Sequence, residues 1–285
     1  MPYFDSHVHS QFSNDSRQTA ETIARAALAL GLAGVAVTDH ANLSISAEDR
    51  TFETVPASTA ASRAMDAALR GRLRFLQGVE VSEPFENPEK TRRLLSLADY
   101  DAVIGSVHRV RACPWEAFYS QIDFSSFSPA QLRQYLDAYF RELRTLAEEG
   151  DFDILAHLSC PLRYINGKYR RQVPLTLWRR EIDGILRCLL RRGKALEVNT
   201  SCLGTGYDAL LPENQNNQIE IRQAEPWVLA RYRALGGRLL TLGSDAHTPE
   251  RLARGFPETA RLLRELGFRD YVHYEARQLR FHPLV

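Results

Sequence analysis

Apolar positions along the chain gather into seven short, β-rich runs: "YFD" at 3–5, "GVAVTD" at 34–39, "LRFLQGVEV" at 73–81, "DAVIGSVH" at 101–108, "FDILAH" at 152–157, "ALEVNT" at 195–200 and "RLLTLGSD" at 238–245. Several are nearly unbroken, the pattern of strands covered on both faces. Helical spacing fills the intervals. Thr19 to Leu30 has an N-cap candidate in Thr19, an acid in the first turn at Glu21 and a stop at Gly31. Ser128-Pro129 opens a longer helix that runs to Gly150, with Leu132, Tyr135, Leu136, Tyr139, Phe140, Leu143 and Leu146 on one face. Residues 175–192 place Leu175, Trp178, Ile182, Ile185, Leu186 and Leu189 together and leave the interleaved arginines on a solvated face. Residues 226–235 and 256–266 read as two further helices, each with Pro in its first turn.

Strand followed by helix, repeated, predicts a parallel sheet closed by right-handed crossovers. Seven such units predict an α/β fold, a distorted (β/α)7 TIM-like barrel one unit short of the usual eight; an open doubly wound sheet is the alternative. No glycine-rich dinucleotide fingerprint and no P-loop interrupts the pattern. Two longer insertions stand out, 109–127 (aromatic and Ser-rich) and 202–225 (rich in Gly, Asn and Gln). Both follow strands, which puts both on one rim as walls or a lid over a site. With no internal repeat and no linker, residues 1–285 read as one domain.

Charge narrows the function. Lys and Arg total 36 and Asp and Glu total 35, a net charge of +1. That balance makes no field for duplex nucleic acid or an anionic membrane, so any recognition of phosphate must be local. No apolar run approaches the roughly 20 residues needed to span a bilayer. The chain enters strand directly, without the basic-then-apolar opening of a signal peptide. Cys113, Cys160, Cys188 and Cys202 form no CxxC pair and read as reduced thiols. A soluble cytoplasmic protein is expected.

The histidines carry the chemistry. In "FDSHVHSQFSNDS", His7 and His9 stand two apart, so in extended backbone both rings face one side. Six of the eight histidines lie at or just past the C-terminal ends of the predicted strands: His7, His9, His40, His108, His157 and His247. Asp5, Asp15, Asp39, Glu80 and Asp245 share those positions, while His273 and His282 lie in the tail. In a parallel barrel all strand C-termini converge on one face, where active sites are built. Six imidazoles with several carboxylates exceed the needs of one tetrahedral ion, and shared ligands would allow two or three. Zn, Fe or Mn suits this nitrogen and oxygen set, whereas Mg and Ca prefer more oxygen. Cys160, three residues past His157, is a candidate thiolate ligand, but its thiol also suits plain burial.

Taken together, "FDSHVHSQFSND", "VTDH", "GVEV", "GSVH", "AHL", "EVNTS" and "GSDAH" resemble the polymerase-and-histidinol-phosphatase (PHP) superfamily over residues 3–250. The resemblance implies the PHP fold, a distorted seven-stranded barrel, with a trinuclear centre of divalent metal ions. It would assign His7, His9, Glu80 and Asp245 to a first ion. Glu80 would bridge to a second ion held with His108 and His157, and Asp15, His40 and His247 would hold the third. Asp5 and Asp39 would either orient ligating histidines or serve as ordinary hydrogen-bonded strand ends. Length, architecture, the tail "YEARQLRFHPLV" and the stretch "HLSCPLRY" resemble the bacterial histidinol-phosphate phosphatases within that superfamily. The implied reaction is hydrolysis of L-histidinol phosphate to L-histidinol and phosphate. Glu80 and Asp245 would then have catalytic roles beyond ligation, with the leaving-group proton coming from Asp245 or from water at the centre. Arg163 is the main candidate for a phosphate clamp, since a guanidinium fork matches two phosphate oxygens. Arg17 and then Arg109 are secondary candidates, and Asn199 with Ser201 reads as a turn at a strand end.

Three function classes follow. The first is a metal-dependent phosphomonoesterase with a small phosphorylated substrate. The second, a phosphodiesterase or exonuclease, is opposed by the near-neutral charge and the lack of a basic, aromatic-rich groove. The third, a metal-stabilised scaffold without turnover, is opposed by the completeness of the ligand set.

Overall fold

The structure, a computed structural model, describes residues 2–43, 50–201 and 226–284. The insertion at 202–225, with Cys202 and its expected place on the rim, lies outside the described residues. In chain order the elements are β1 (Phe4–Val8), α1 (Ala20–Ala29), β2 (Gly34–Val37), β3 (His40–Asn42), α2 (Thr51–Leu69), β4 (Arg74–Ser82), α3 (Pro88–Leu95), β5 (Ala102–Ser106), α4 (Pro129–Glu149), β6 (Ile154–Leu155), the single turn α5 (Cys160–Leu162), α6 (Arg179–Arg192), β7 (Ala195–Asn199), α7 (Pro226–Ala234), β8 (Leu240–Gly243), α8 (Phe256–Glu265), β9 (Asp270–Glu275) and β10 (Gln278–Pro283).

Seven strand positions run β1-β2-β4-β5-β6-β7-β8, every neighbouring pair parallel. β3 continues the line of β2: β2 pairs with Arg74–Gln77 of β4, and β3 with Glu80–Ser82. The break falls at Thr38 and Asp39, where the Asp39 carbonyl accepts from the Glu80 amide at 3.1 Å. The two ends of the sheet then meet. Val8 bridges Ala246, the Asp245 amide donates to the His7 carbonyl at 2.8 Å, and the His9 amide donates to the Ala246 carbonyl at 3.0 Å. The result is the nearly closed, seven-stranded α/β barrel that the sequence predicts.

Local signals explain the helices that were legible. Ser128 and Gln131 form a reciprocal capping box at the start of α4, with Pro129 in its first turn. Thr19 caps α1, and Gly193, in the left-handed region at φ 63°, ends α6. Tyr135, Tyr139 and Phe140 of α4 pack with Trp178, Ile182 and Ile185 in the main core, and Phe140 stacks on Trp178 at 5.5 Å. Two helices escape the pattern. The buried face of α2 is mostly small and polar (Thr51, Ser58, Thr59 and Ser62, with only Val55 and Leu69 apolar), and Pro56 lies inside it. α3 buries only Thr91 and Leu94. Neither offers an apolar stripe to read. Cys113, Cys160 and Cys188 are buried free thiols, as expected. Among the described residues no helix is long and apolar enough to cross a membrane.

The tail forms a hairpin, β9–β10, turning at Ala276 and Arg277, both left-handed (φ 50° and 57°). It closes the end of the barrel opposite the strand C-termini. Arg277 pairs with Asp153 (2.9 Å) and Asp151 (2.8 Å), and the Ala276 amide donates to Asp101 at 2.8 Å, so the turn is anchored at the starts of β5 and β6. Val272 and Tyr274 pack against Ala102, Ile104, Ile154 and Ala195 at the barrel floor. His273 stacks on Phe4 at 3.9 Å and shares a 2.6 Å hydrogen bond with His282.

Burial, with repulsion from His282, Arg280 and Arg74, pushes His273 down to about 3. The unfolded chain takes up this proton near pH 6.5, the folded chain only near 3, so the pair's stability contribution is present above 6.5 and drains away as pH falls from 6.5 toward 3. His273→Phe keeps the stack on Phe4 and removes that titration. Thermal melts from pH 7 to pH 4 should fall less steeply for the variant than for the native protein; parallel slopes would show that His273 is not seated against His282 as described.

Candidate metal centre

Strand polarity delivers the site. His7 lies on β1 and His9 follows it; His40 opens β3; Glu80 is near the end of β4; His108, His157, Asp245 and His247 follow β5, β6 and β8. All nine predicted ligand residues, Asp15 included, come to the C-terminal mouth of the barrel. Glu80 stands in the middle and is fully buried. Its Oε1 lies 2.9 Å from His157 Nε2 and 3.1 Å from His108 Nε2. Its Oε2 lies 2.7 Å from His40 Nδ1, 3.5 Å from His7 Nε2 and 3.6 Å from His9 Nε2. Asp245 Oδ1 reaches His9 Nε2 at 3.2 Å, and Asp15 Oδ2 lies 3.3 Å from His247 Nε2 and 3.5 Å from His40 Nε2. Among the described residues, three donor groups are compact enough to hold an ion: His7, His9 and Asp245; His40, Glu80 and His108; and His9, His40 and His247.

The donor set fits metal ions on three counts. Ligand atoms about 2.0–2.1 Å from a tetrahedral zinc stand about 3.3 Å from each other. The ring nitrogens of His7 and His9 are 3.0 Å apart, and those of His108 and His157 are 3.2 Å apart. Second, His40 Nδ1 and Glu80 Oε2 are buried and close, yet neither has a hydrogen-bond partner of acceptable geometry. Third, the buried anions call for positive charge that imidazoles or a metal cation can supply. Burial alone would raise Glu80, but His108, His7 and His40 hold it well below the usual carboxylate range. Burial alone would lower His40, but Glu80 and Asp15 push it up to about 10. Asp245, likewise buried, is held down by His9, His7 and His247. Positive charge gathers around buried anions, in the place where dications would supply it instead.

A supporting layer orients the rings. Asp39 accepts from the Ser10 amide (2.6 Å) and from the hydroxyls of Ser10 (2.6 Å), Ser13 (2.7 Å) and Ser58 (2.5 Å); Ser13 in turn lies 3.1 Å from His9 Nδ1. Asp39 thus acts on His9 through Ser13. Asp5 touches no imidazole. It accepts from the amides of Ser244 (2.9 Å), Ala253 (3.0 Å) and His7 (3.4 Å), holding backbone at the strand ends, and burial pushes it up to about 6 against those bonds. Ser82 bridges Asn42 Oδ1 (2.9 Å) and His108 Nδ1 (2.7 Å), while Glu83 accepts from the amides of His108 and Arg109. Glu197 lies against His7 and His157. Ser13, Ser82, Glu83 and Glu197 were absent from the sequence candidates. Glu197 left a signal, an acid between Leu196 and Val198 in an otherwise apolar strand; the serines left none.

Beside this cluster opens a cavity of about 230 Å³, bordered by His108, His157, Asp245 and His247, by Arg163 and Tyr164, and by Phe118–Gln121 of the 109–127 insertion. Arg163 donates to Ser201 Oγ at 2.7 Å and to Tyr164 Oη at 2.9 Å and lies 3.5 Å from Asp245 Oδ2. Arg17 is exposed, donates to the Ser16 carbonyl at 3.0 Å and does not border the cavity. Arg109 pairs with Glu116 at 3.2 Å. Asn199 accepts from the Ser201 amide at 3.0 Å, forming the turn expected there. Cys160 borders the cavity but joins none of the three donor groups.

A sequence model of the PHP domain family matches residues 5–201. The chain belongs to the PHP domain family. It is 23% identical over 283 residues to histidinol-phosphatase of Lactococcus lactis, covering 98% of this chain and 97% of that one. It is 27% identical to a probable histidinol-phosphatase of Deinococcus radiodurans, covering 93% and 94%. The crystal structure of the Lactococcus lactis histidinol phosphate phosphatase, complexed with zinc, L-histidinol and phosphate, superimposes with a TM-score of 0.78 at 21% identity over 98% of both chains. The PHP match stops before β8, yet closure of the barrel returns Asp245 and His247 from beyond it to His9 and Asp15.

Asp39 tests the supporting layer of this PHP site. Asp39→Ala strips the acceptor from four buried donors and should cost about 2–4 kcal/mol in urea unfolding of the metal-free protein. A loss below about 1 kcal/mol would show that the serines find water or one another instead.

Proposed function

We propose that this protein is a metal-dependent phosphomonoesterase that hydrolyses L-histidinol phosphate to L-histidinol and phosphate, the whole chain acting as one PHP phosphoesterase domain. The observation that carries the reading is the convergence of nine ligand-type side chains at one barrel mouth, six of them bordering the cavity, in a chain matched along nearly its full length by histidinol-phosphatases. His7, His9, Glu80 and Asp245 would hold one ion, Glu80 with His108 and His157 a second, and Asp15, His40 and His247 a third. Zinc, iron or manganese suits this donor set, and the zinc of the Lactococcus lactis complex favours zinc. Bound there, such ions neutralise phosphoryl charge and supply a nucleophilic water near neutral pH.

The chain's own residues do the rest. Arg163 offers a planar fork from the cavity wall, held by Ser201 and Tyr164, and can exchange its long contact with Asp245 for phosphate oxygens. Against its burial, His9, His7 and His247 hold Asp245 well below the usual carboxylate range, which suits it to accept a proton, with water in the cup as the proposed donor to the departing alkoxide. The cavity, about 230 Å³, is smaller than the 300–1,000 Å³ common for drug-sized ligands, and suits a small monoester better than a nucleotide chain. Arg17, turned onto its own loop, has no part in this reading.

Elemental analysis of the purified protein together with phosphate release from a panel of monoesters tests it. Bound transition metal and release from histidinol phosphate are expected; a metal-loaded protein that spares histidinol phosphate and cleaves other monoesters would remove this substrate. Arg163→Ala should raise KM by roughly 10- to 100-fold with metal content unchanged, and loss of metal in that variant would overturn the clamp.

A further inference from the structure

Glu197 lies on β7, is 1% exposed, and projects into the barrel beneath the ligand cluster. Its carboxylate meets three donors. Oε1 is 2.6 Å from His7 Nδ1; Oε2 accepts from the His157 amide at 2.7 Å and from Asn199 Nδ2 at 3.2 Å. His7 and His157 belong to two different proposed ion sites, which share Glu80. An acceptor on Nδ1 fixes the His7 proton there and leaves the Nε2 lone pair facing Glu80 and Asp245. The second oxygen holds the His157 backbone at φ 20°, an unfavourable conformation for a residue with a Cβ. A separate feature makes room for this arrangement. A methyl group on Gly243 would overlap Glu197 Oε1 and stand 2.8 Å from His7 Cβ. β8 therefore needs glycine where it crosses the Glu197–His7 contact.

We propose that Glu197 is a positioning residue that sets the metal-facing tautomer of His7 and the backbone of His157 together, so that the two ions sharing Glu80 are gained and lost as a pair. The inference rests on the metal assignment proposed above. Only a carboxylate can serve. An amide at 197 has one acceptor oxygen. Turned to His7, it sets an NH2 group against the His157 amide. Turned to His157, it donates to His7 Nδ1, moves the imidazole proton to Nε2 and closes that nitrogen to metal.

The test is a chelator titration of the zinc-loaded full-length protein, following metal per chain by elemental analysis. The native protein should lose two ions in one step. Glu197→Gln should lose them in two steps, with the weaker site bound about 10- to 100-fold less tightly. Gly243→Ala, which keeps every polar group, should do the same, with circular dichroism reporting the fold. One native step and the same step in Glu197→Gln would overturn the proposal while leaving the metal sites standing. A native protein that takes up no zinc would instead overturn the function proposed above. Imidazole nitrogen NMR of the zinc-loaded native protein gives an independent readout: a proton on His7 Nδ1 is expected, and a proton on Nε2 would sink the idea whatever the variants do.

Discussion

Glu80 is an anion with no access to water, and the rest of the upper barrel is arranged around that constraint. A buried carboxylate is tolerable only where positive charge and hydrogen-bond donors offset its lost hydration. Here four imidazoles, from His7, His40, His108 and His157, lie within 3.5 Å of its two oxygens. They arrive from four different strand ends. No local segment could supply them, so the charge balance of Glu80 is a property of the closed barrel. The join between β1 and β8 closes the ring of strands, so that the His7 ring of β1 comes within 6.0 Å of the His157 ring beyond β6, and it also brings Asp245 to His9.

This dependence explains what could be read in advance. Strand polarity and the placing of histidines at strand ends are local facts, and together they put nine residues at one mouth. Helices with an apolar stripe and a cap, such as α4, were equally plain. α2 was not, because it faces the barrel with serines and threonines; Ser58 spends its hydroxyl on Asp39 instead of adding to an apolar face. The supporting residues were hidden for a related reason. Ser13 and Ser82 act through one hydrogen bond each to a ring nitrogen, and serine is common in turns and strand ends without such duties. The two candidate arginines part company. Arg17 follows the first ligand loop in sequence, but its guanidinium folds back onto the Ser16 carbonyl, whereas Arg163 reaches the cavity from an irregular turn after α5.

The two ends of the barrel divide their work. At the floor, the β9–β10 hairpin fills the barrel with Val272 and Tyr274 and ties its turn to Asp101, Asp151 and Asp153. At the mouth, as in the Ala276–Arg277 turn of the floor, the chain accepts strain. Asp245 and Glu83, both without the freedom of glycine, adopt left-handed backbone at φ 52° and 46°. Such conformations cost about 1–3 kcal/mol each and persist only where surrounding structure fixes them. The Asp245 amide is held by the His7 carbonyl at 2.8 Å, and the Glu83 amide by the Ser106 carbonyl at 2.9 Å. A packed floor can carry that cost.

The same division bears on phosphate chemistry in a chain of nearly neutral charge. With a net charge of +1 the molecule gives no long-range pull toward a phosphorylated ligand. Attraction must be built within a few ångströms, and in the proposed reading ions in the cup and the Arg163 guanidinium on its wall would supply it. Short-range attraction of this kind selects for shape as much as for charge, since a ligand feels it only after entering the cavity. Phe118, Tyr119 and Tyr164, with Tyr119 and Tyr164 5.4 Å apart, form an aromatic side to that cavity. A compact ester with a ring or cation in its leaving group agrees with the proposed reading, whereas a polyanionic strand would find, among the described residues that line the cavity, only the one guanidinium of Arg163 and no track of basic residues.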